Sequence, residues 1–318
     1  MRLSLVVLGL ASLAACDVGT GGSFGVGAMP DTMGPSGPVA MDDGMLAYSV
    51  GVGVETHGVH LPQGQDWSVA GMGGLTCQLD MAQGFTSTDL NVDESEEDVE
   101  DGDGGRVLIQ GSQGTHQIVQ FPSGNYGDSW TVDGGVASRL TADGHVDLAW
   151  TEGVCSVTWT ERTSSASAQI PPAYCAGGDM VVANDGSVWV GAAESVGHVT
   201  AEGLVAVAVP GRTLAYDADS DTVVASGAGS LAAVAADGTV AWRVDAGGEI
   251  AGFDAASGLA AVALVGPTGF ETELVMFDVG TGEELSRQLA QNVLPGRVVM
   301  NDTFVSVASE SQFDFFRF

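Results

Sequence analysis

The chain has 318 residues, of which 45% are hydrophobic, so it is long enough for one large domain or two small ones. Its charge is strongly unbalanced: 41 Asp and Glu stand against 9 basic residues, all of them Arg, and the formal net charge is −32. Because lysine is missing, the chain has neither a Walker-A phosphate loop nor a Schiff-base lysine, and its acidity excludes a polybasic surface for nucleic acid.

The start of the chain has the pattern of an export signal. Arg2 supplies a short positive region, an apolar run of 11 residues extends from Leu3 to Leu13, and small residues precede Cys16. The run is too short to span a bilayer, which takes about 20 residues. The segment LAAC ending at Cys16 resembles the lipobox of bacterial lipoproteins, which implies removal of residues 1–15 and lipidation of Cys16. The alternative is an ordinary secretory signal whose last residue happens to be cysteine.

Lipidation would make the membrane a partner of this protein, because two or three acyl chains together anchor stably. We therefore expect a location in the cell envelope, facing the periplasm or the cell surface. Asp17 resembles an inner-membrane retention signal of enteric bacteria, but that rule differs between lineages, so the choice of membrane stays open.

Residues 16–40 are rich in Gly, Pro and Ser and show no apolar period, which predicts a flexible linker after the lipidated cysteine. Residues 41–318 have the composition of a folded domain, interrupted by an acidic segment at 89–105. Nine of the fifteen residues from Asp89 to Asp103 are acidic. Like-charge repulsion at this density predicts a solvated loop.

Short apolar or alternating runs recur along 41–318, separated by turn pairs roughly every 8–12 residues. Asp-Gly pairs such as those at Asp185 and Asp237 predict hairpins with positive φ at both turn residues. Related turns recur at similar distances, for example 42 residues between Asp143 and Asp185. A repeat near 40 residues with four short strands is typical of a propeller blade. The sequence therefore predicts an all-β fold, a β-propeller of about seven four-stranded blades.

The segment from Ala236 to Asp245 (ADGTVAWRVD) places a tryptophan-bearing strand after a turn, and it resembles the repeat of PQQ-like propellers. The turns beginning at Phe253 (FDAASGL) and Phe277 (FDVGTGE) resemble the turn halves of such repeats, and WD40-like repeats fit nearly as well. The chain is thus similar to bacterial lipoproteins that carry a PQQ-like or WD40-like propeller. The resemblance does not imply the quinone cofactor, because the adjacent cysteine pair of quinoprotein dehydrogenases is missing.

Two C-terminal segments complete the predicted elements. Leu285, Leu289 and Val293 are spaced by four residues, a pattern that fits one helix at 283–294 or a strand about equally. The runs at 303–308 and 312–318 are predicted to form the blade that closes the ring, because an open ring leaves two sheet edges unpaired.

Three cysteines follow Cys16, and their pairing is predicted from the loops that they would close. The exported location permits disulfides, and a Cys155–Cys175 bridge closes a short loop, which contributes about 3 kcal/mol. Cys77 would then remain a single buried thiol. The cysteine spacings match no zinc site.

Asp217, Asp219 and Asp221 alternate along the chain as the oxygen ligands of calcium loops do. The EF-hand pattern is incomplete, because Thr222 and Ala228 stand where it requires Gly and Glu. The segment is therefore predicted to be either a weak Ca²⁺ site formed by these three aspartates or a hairpin turn that binds no metal. We expect no other cofactor.

No set of His, Ser and Asp is placed by spacing, and the single Gly-x-Ser-x-Gly match, at 21–25, lies in the predicted linker. The leading hypothesis is a lipid-anchored envelope propeller that acts as a non-catalytic interaction module with a protein partner. The alternatives are a propeller enzyme, a metal-assisted lyase or hydrolase with its site at the channel mouth, and a surface-exposed adhesion or binding lipoprotein. The acidity argues against nucleic acid as a partner, and it fits a saline habitat as well as a binding task.

Overall fold

The computed structural model describes the chain in ranges that together cover most of the predicted domain. These are residues 23–27, 35–42, 45–50, 55–60, 85–88, 98–103, 106–110, 115–120, 125–177, 179–200, 202–227, 229–290, 293–302, 304–308 and 313–317. Cys16, Cys77 and residues 89–97 of the acidic segment lie outside them.

Within these ranges the strands form seven four-stranded antiparallel sheets, which we number as blades 1 to 7. Blade 1 comprises β2 (Pro35–Asp42), β3 (Met45–Val50), β4 (Glu55–His60) and β5 (Phe85–Thr88). Blade 2 comprises β6 (Asp98–Asp103), β7 (Arg106–Gln110), β8 (Thr115–Gln120) and β9 (Asn125–Thr131). Blade 3 comprises β10 (Gly135–Thr141), β11 (Gly144–Thr151), β12 (Val154–Glu161) and β13 (Ser165–Ile170).

The remaining four blades follow in the same way. Blade 4 comprises β14 (Met180–Val182), β15 (Val188–Gly191), β16 (Val196–Thr200) and β17 (Gly203–Val207). Blade 5 comprises β18 (Thr213–Asp217), β19 (Thr222–Gly227), β20 (Ser230–Ala235) and β21 (Val240–Asp245). Blade 6 comprises β22 (Ile250–Ala256), β23 (Leu259–Val265), β24 (Thr272–Asp278) and β25 (Glu284–Ala290). Blade 7 comprises β26 (Arg297–Met300), β27 (Phe304–Ala308), β28 (Phe313–Arg317) and the N-terminal strand β1 (Ser23–Gly27).

The blades close into a ring. The first strand of each of blades 1 to 6 contacts the first strand of the next blade, and β26 of blade 7 contacts β2 of blade 1. In blade 7 the outermost strand is β1, which pairs antiparallel with β28. The fold is therefore a β-propeller, as predicted, and strands from the two ends of the described chain share one blade.

Two predicted segment boundaries differ from the structure. β1 and most of β2 lie inside 16–40, the range predicted as linker. Likewise β6 lies inside the predicted acidic loop at 89–105. In both places the local composition disfavours a strand, but a second strand supplies the backbone hydrogen bonds. This partner is β28, at the other end of the described chain, for β1, and the following strand β7 for β6. The segment that fits either a helix or a strand contains β25.

The Asp-Gly turns differ in type from the prediction. Gly186 and Gly238 have positive φ, but the preceding aspartates do not. Gly186 N donates to Ala183 O at 2.9 Å, and Ala183 N donates to Ser187 O at 2.9 Å. This is a type I turn followed by a bulge, which needs positive φ only at the glycine.

The hydrophobic core lies between neighbouring blades. In β23, Val262 belongs to the cluster shared with blade 5, whereas Ala261 and Ala263 belong to the cluster shared with blade 7. Because both faces are covered, this strand is an uninterrupted apolar run (LAAVALV). Small residues also let the blades approach, since a Cβ on Gly252 would lie 2.6 Å from the carbonyl oxygen of Gly296.

One short helix, α1 (Pro172–Gly177), connects blades 3 and 4. In the part of the chain that the structure describes, no helix has the length and apolar composition needed to cross a membrane.

Candidate functional site

Charged side chains stand along the inner strands that surround the axis of the ring. Arg139 lies on β10, Asp179 immediately precedes β14, and Asp254 lies on β22. Arg139 Nη2 donates to Oδ1 of Asp179 at 3.1 Å. Ionisable side chains are therefore present on or beside the innermost strands of blades 3, 4 and 6.

Both aspartates bind the backbone of the next blade. Oδ2 of Asp179 accepts the N–H of Leu214 in blade 5 at 2.6 Å. Oδ2 of Asp254 accepts the N–H of Met300 in blade 7 at 2.9 Å. The other oxygen of each carboxylate accepts the N–H of the residue that follows it, at 2.8 Å. Each aspartate thus ties the inner strand of one blade to the inner strand of the next.

Desolvation raises the pKa of both carboxyls. The pKa of Asp254 rises to about 7, because burial and the negative charge of Asp179 outweigh two backbone N–H donors. Burial also raises the pKa of Asp179, against the opposing charge of Arg139. Because its pKa is about 7, Asp254 changes its charge near neutral pH.

A second polar cluster is buried between blades 2 and 3. Ser138 is fully buried, and its Oγ lies 2.6 Å from Oδ1 of Asp147 and 3.0 Å from Nε2 of His116. Trp130 Nε1 donates to the same Asp147 oxygen at 3.2 Å. The Trp130 ring stacks on His145, with ring centroids 3.7 Å apart.

This cluster contains the residue types of a hydrolase triad, but its hydrogen bonds run differently. A carboxylate only accepts, so Ser138 donates its one proton to Asp147 and accepts the N–H of His116. A nucleophilic serine donates its proton to the imidazole instead. The arrangement therefore fixes the Ser138 hydroxyl without activating it, and complete burial keeps substrate away from it.

The Asp147 carboxylate is held in its charged form. Burial alone would raise the pKa of Asp147, but hydrogen bonds from His145, Ser138 and Trp130 together lower it below the ordinary aspartate value. Nε2 of His145 lies 3.4 Å from Oδ2 of Asp147. Since Trp130 belongs to blade 2 and Asp147 to blade 3, the cluster joins two blades.

The histidines whose surroundings the structure describes lie within or between blades. His198 stacks on Trp189 in blade 4, with centroids 4.2 Å apart, and desolvation lowers the pKa of His198. His116 and His145 belong to the cluster at Ser138. These three histidines lie on the second or third strand of their blades and not on the innermost strands, which surround the axis.

The structure does not bring the three predicted calcium ligands together. Asp217 is buried; its Oδ1 accepts the N–H of Gly258 in blade 6 at 3.1 Å, and its Oδ2 binds Ser220. Asp221 accepts a tyrosine hydroxyl at 2.6 Å, while Asp219 is exposed. Within the described ranges, no three His, Cys, Asp or Glu side chains are arranged to hold a metal ion. The contacts support a turn that is bonded to the next blade.

The structure joins Cys155 and Cys175, with the sulfurs 2.09 Å and the Cα atoms 5.8 Å apart. Cys155 lies on β12 and Cys175 on α1, so the bond fastens the connection between blades 3 and 4 to blade 3.

Large apolar side chains are exposed on two outermost strands and at two hairpins. Val205 on β17 is 64% exposed, and Leu285 and Leu289 on β25 are 52% and 40% exposed. Phe270, between β23 and β24, is 72% exposed. Trp150 and Val154 are exposed at the β11–β12 hairpin. β17 and β25 are the outermost strands of their blades, so the outer edge of the propeller offers apolar contact surface.

Sequence reasoning missed Ser138, Asp147, Asp179 and Asp254. Their contacts cross blade boundaries, so the spacing of residues along the chain does not show them. One signal was available, because Asp254 is a single charge inside an otherwise apolar strand (IAGFDAA).

Comparison with known proteins supports the fold and goes no further. No protein-family model matches the chain, and no curated protein matches it. The β-propeller domain of Cps50 (Swd1) from Myceliophthora thermophila is similar in structure, with a TM-score of 0.62, 10% identity, and coverage of 92% of this chain and 98% of that chain. BamB from Moraxella catarrhalis has a TM-score of 0.51 at 12% identity, over 89% of this chain and 83% of that chain. A chain from the mitotic checkpoint complex has a TM-score of 0.56 at 11% identity, over 93% and 91%. At sequence identities this low, the structural similarity shows only that the fold is a β-propeller.

Proposed function

We propose that this protein is a non-catalytic interaction module of the cell envelope, anchored through lipidated Cys16. The export signal and the LAAC segment support the anchor, and a net charge of −32 disfavours nucleic acid as a partner. One of the similar structures belongs to the mitotic checkpoint complex, so the fold occurs in at least one protein that assembles with others.

One observation carries the proposal: three aspartates at the boundaries between blades already bind the neighbouring blade. Asp179, Asp217 and Asp254 each accept a backbone N–H from the next blade. A carboxylate bonded in this way stabilises the ring, and its oxygens are already engaged. Large apolar side chains meet solvent on the outermost strands β17 and β25 and at two hairpins, and these are available for contact with other molecules.

The anchor is tested by comparing the intact protein with a Cys16→Ala variant. After detergent phase partition, the intact protein is expected in the detergent phase and the variant, expressed without residues 1–15, in the aqueous phase. Inhibition of lipoprotein signal peptidase should leave a larger precursor of the intact protein. Recovery of both proteins in the aqueous phase would refute the anchor.

The interaction role is tested by photo-crosslinking in intact membranes. A photoreactive residue is placed at Val205, Phe270 or Leu289, and, as a matched exposed polar control, at Ser165 on β13. We expect one defined envelope protein to crosslink to an apolar position and not to Ser165. Equal, weak labelling at all four positions would contradict an interaction surface on the outside of the ring.

A further inference from the structure

We propose that the outer edge of β25 binds an extended, basic segment of a partner protein, which adds to blade 6 as a fifth strand. This inference rests on the proposed function and names its site and the chemistry of its partner. It follows from three properties of β25: an unused row of backbone groups, exposed leucines, and acidic surroundings.

The direction of the backbone groups in β25 follows from its hairpin with β24. Asp278 N donates to Glu283 O at 2.9 Å, whereas Val279 N donates to Gly258 O on the opposite side, toward β23. The pairing has a register shift between Met276 and Phe277, but Gly266 N donates to Glu271 O beyond it, so Glu271 also faces β23. Alternation along β24 then directs the backbone N–H and C=O of its even-numbered residues toward β25. Their partners on β25 are Ser286, Gln288 and Ala290.

Arg287 and Leu289 therefore direct their backbone N–H and C=O away from β24. Blade 6 has the strand order β22-β23-β24-β25, and no further described strand pairs with β25. These groups form the template that an added antiparallel or parallel strand needs.

β25 is also the most open outer strand for which burial is described. Six of its seven residues are exposed, whereas β21 alternates half-buried and exposed positions. Leu285 and Leu289 are 52% and 40% exposed, so apolar side chains of an added strand would bury them. β25 has no proline and is seven residues long, so it lacks two of the devices that protect edge strands.

The charges around this edge determine the chemistry of the partner. Glu271 and Glu273 lie toward one end of β25, and Glu283 and Glu284 toward the other. Arg287 is the nearby cation, and its guanidinium already binds Glu273 and Glu284 at 2.7 Å each. Four carboxylates and one guanidinium that is already paired with two of them favour basic side chains in the partner. The net charge of −32 also attracts a basic partner to this protein.

The backbone geometry allows variants that separate a strand ladder from side-chain contact. Leu289→Pro removes an N–H that β24 does not use, and proline is tolerated at such an edge position. Leu289→Ala shortens the same side chain and keeps the N–H. Gln288→Pro is the control for folding, because it removes an N–H directed at β24 and should destabilise blade 6.

The probe is a fluorescent peptide of about eight alternating Leu and Arg residues, a typical strand length. One control is a peptide of alternating Leu and Glu residues. The other is the Leu and Arg peptide with methyl groups on the backbone nitrogens along one edge. Binding to the full mature chain is measured by fluorescence anisotropy at about 0.15 M salt. We expect Leu289→Pro to weaken binding about tenfold, and more than Leu289→Ala does, since one ladder hydrogen bond is lost. Backbone methylation should weaken binding in the same way.

Other results would overturn the proposal. Equal binding of the methylated peptide, or equal affinity of the Pro and Ala variants when both stay folded, would show charge attraction without strand addition. A concentration-dependent dimer that Leu289→Pro dissociates would assign the edge to a second copy of this chain. In membranes, a partner that crosslinks at Val205 but not at Leu289 would refute this inference and leave the proposed function standing, whereas the absence of any partner would count against both.

Discussion

Two serines illustrate how differently a buried hydroxyl can act. Ser138 and Ser306 are both fully buried. Ser138 donates to Asp147 and accepts from His116, whereas the Ser306 hydroxyl has no hydrogen-bond partner among the described residues. We expect Ser138→Ala to lower the free energy of unfolding by about 1–3 kcal/mol, because Asp147 and His116 lose a buried partner. Ser306→Ala should not lower it, because a buried hydroxyl without a hydrogen-bond partner already costs stability.

Urea unfolding of the two variants and the natural protein measures this difference. The pair is well matched, because both substitutions remove one buried oxygen from a strand. If the two variants lost equal stability, the hydrogen bonds at Ser138 would not be the source of the effect.

Asp254 links stability to pH. Its folded-state pKa of about 7 lies above the ordinary aspartate value, so its contribution to stability is complete below about pH 4 and is lost as the pH rises through 7. Between pH 5 and pH 8 we expect the free energy of unfolding to fall by on the order of 2 kcal/mol from this group. Asp179, whose pKa is also raised, adds to the same trend.

The Asp254→Asn variant tests this assignment through the pH dependence of the free energy of unfolding, and not through its value at a single pH. Asparagine cannot ionise, but it offers only one oxygen to the two N–H groups that Asp254 accepts, so the variant is less stable at low pH. Its free energy of unfolding should vary less between pH 5 and pH 8 than that of the natural protein. Parallel curves for the two proteins would rule out Asp254 as the titrating group.

At the level of the single element, the disulfide restrains the connection between blades 3 and 4. The Cys155–Cys175 bond spans 20 residues, which include β13 and the start of α1. On the chain-entropy model, replacing both cysteines with serine should cost about 3 kcal/mol. Thermal unfolding of this double variant beside the oxidised protein measures the loss, and equal stability would mean that the bond does not constrain the unfolded chain.

The elements differ in how far their own residues specify them. The Asp-Gly turns and the repeat near 40 residues predict the propeller, because each blade repeats the same local chemistry. β1 and β6 were missed since Gly-rich and acidic segments have low strand propensity. Their structure depends on pairing with β28 and β7, which a local pattern does not contain. The contacts of Asp179 and Asp254 were missed for the same reason, because their partners lie 35 and 46 residues away.

At the scale of the whole molecule, β1 joins the two ends of the described chain in one blade. This strand covers the edge of β28, and without it blade 7 would present an unpaired edge. We expect a mature chain that begins at residue 29 to unfold at lower temperature and to aggregate more than one that begins at residue 22. Size-exclusion chromatography and thermal unfolding compare the two, and identical behaviour would show that the ring closes without β1.

The position of β1 also determines how far an anchored propeller stands from its membrane. A linker to residue 40 would permit a long tether, but β1 begins at Ser23, so only residues 17–22 separate it from Cys16. At about 3.3–3.6 Å per residue, this chain reaches about 25 Å at most. If Cys16 carries the lipid as proposed, blade 7 is held beside the bilayer, and blade 6, with its proposed binding edge, is its neighbour.

Energy transfer from a fluorescent residue to an acceptor lipid in vesicles measures this orientation. We expect stronger transfer from a fluorophore at Asp302, which lies between β26 and β27 of blade 7, than from one at Ser165 in blade 3, across the ring. A Gly/Ser insertion after residue 20 should reduce the difference, because a longer flexible tether lets the propeller rotate relative to the membrane. Equal transfer from both positions, with the lipid attached and no insertion, would show that β1 does not hold blade 7 toward the bilayer.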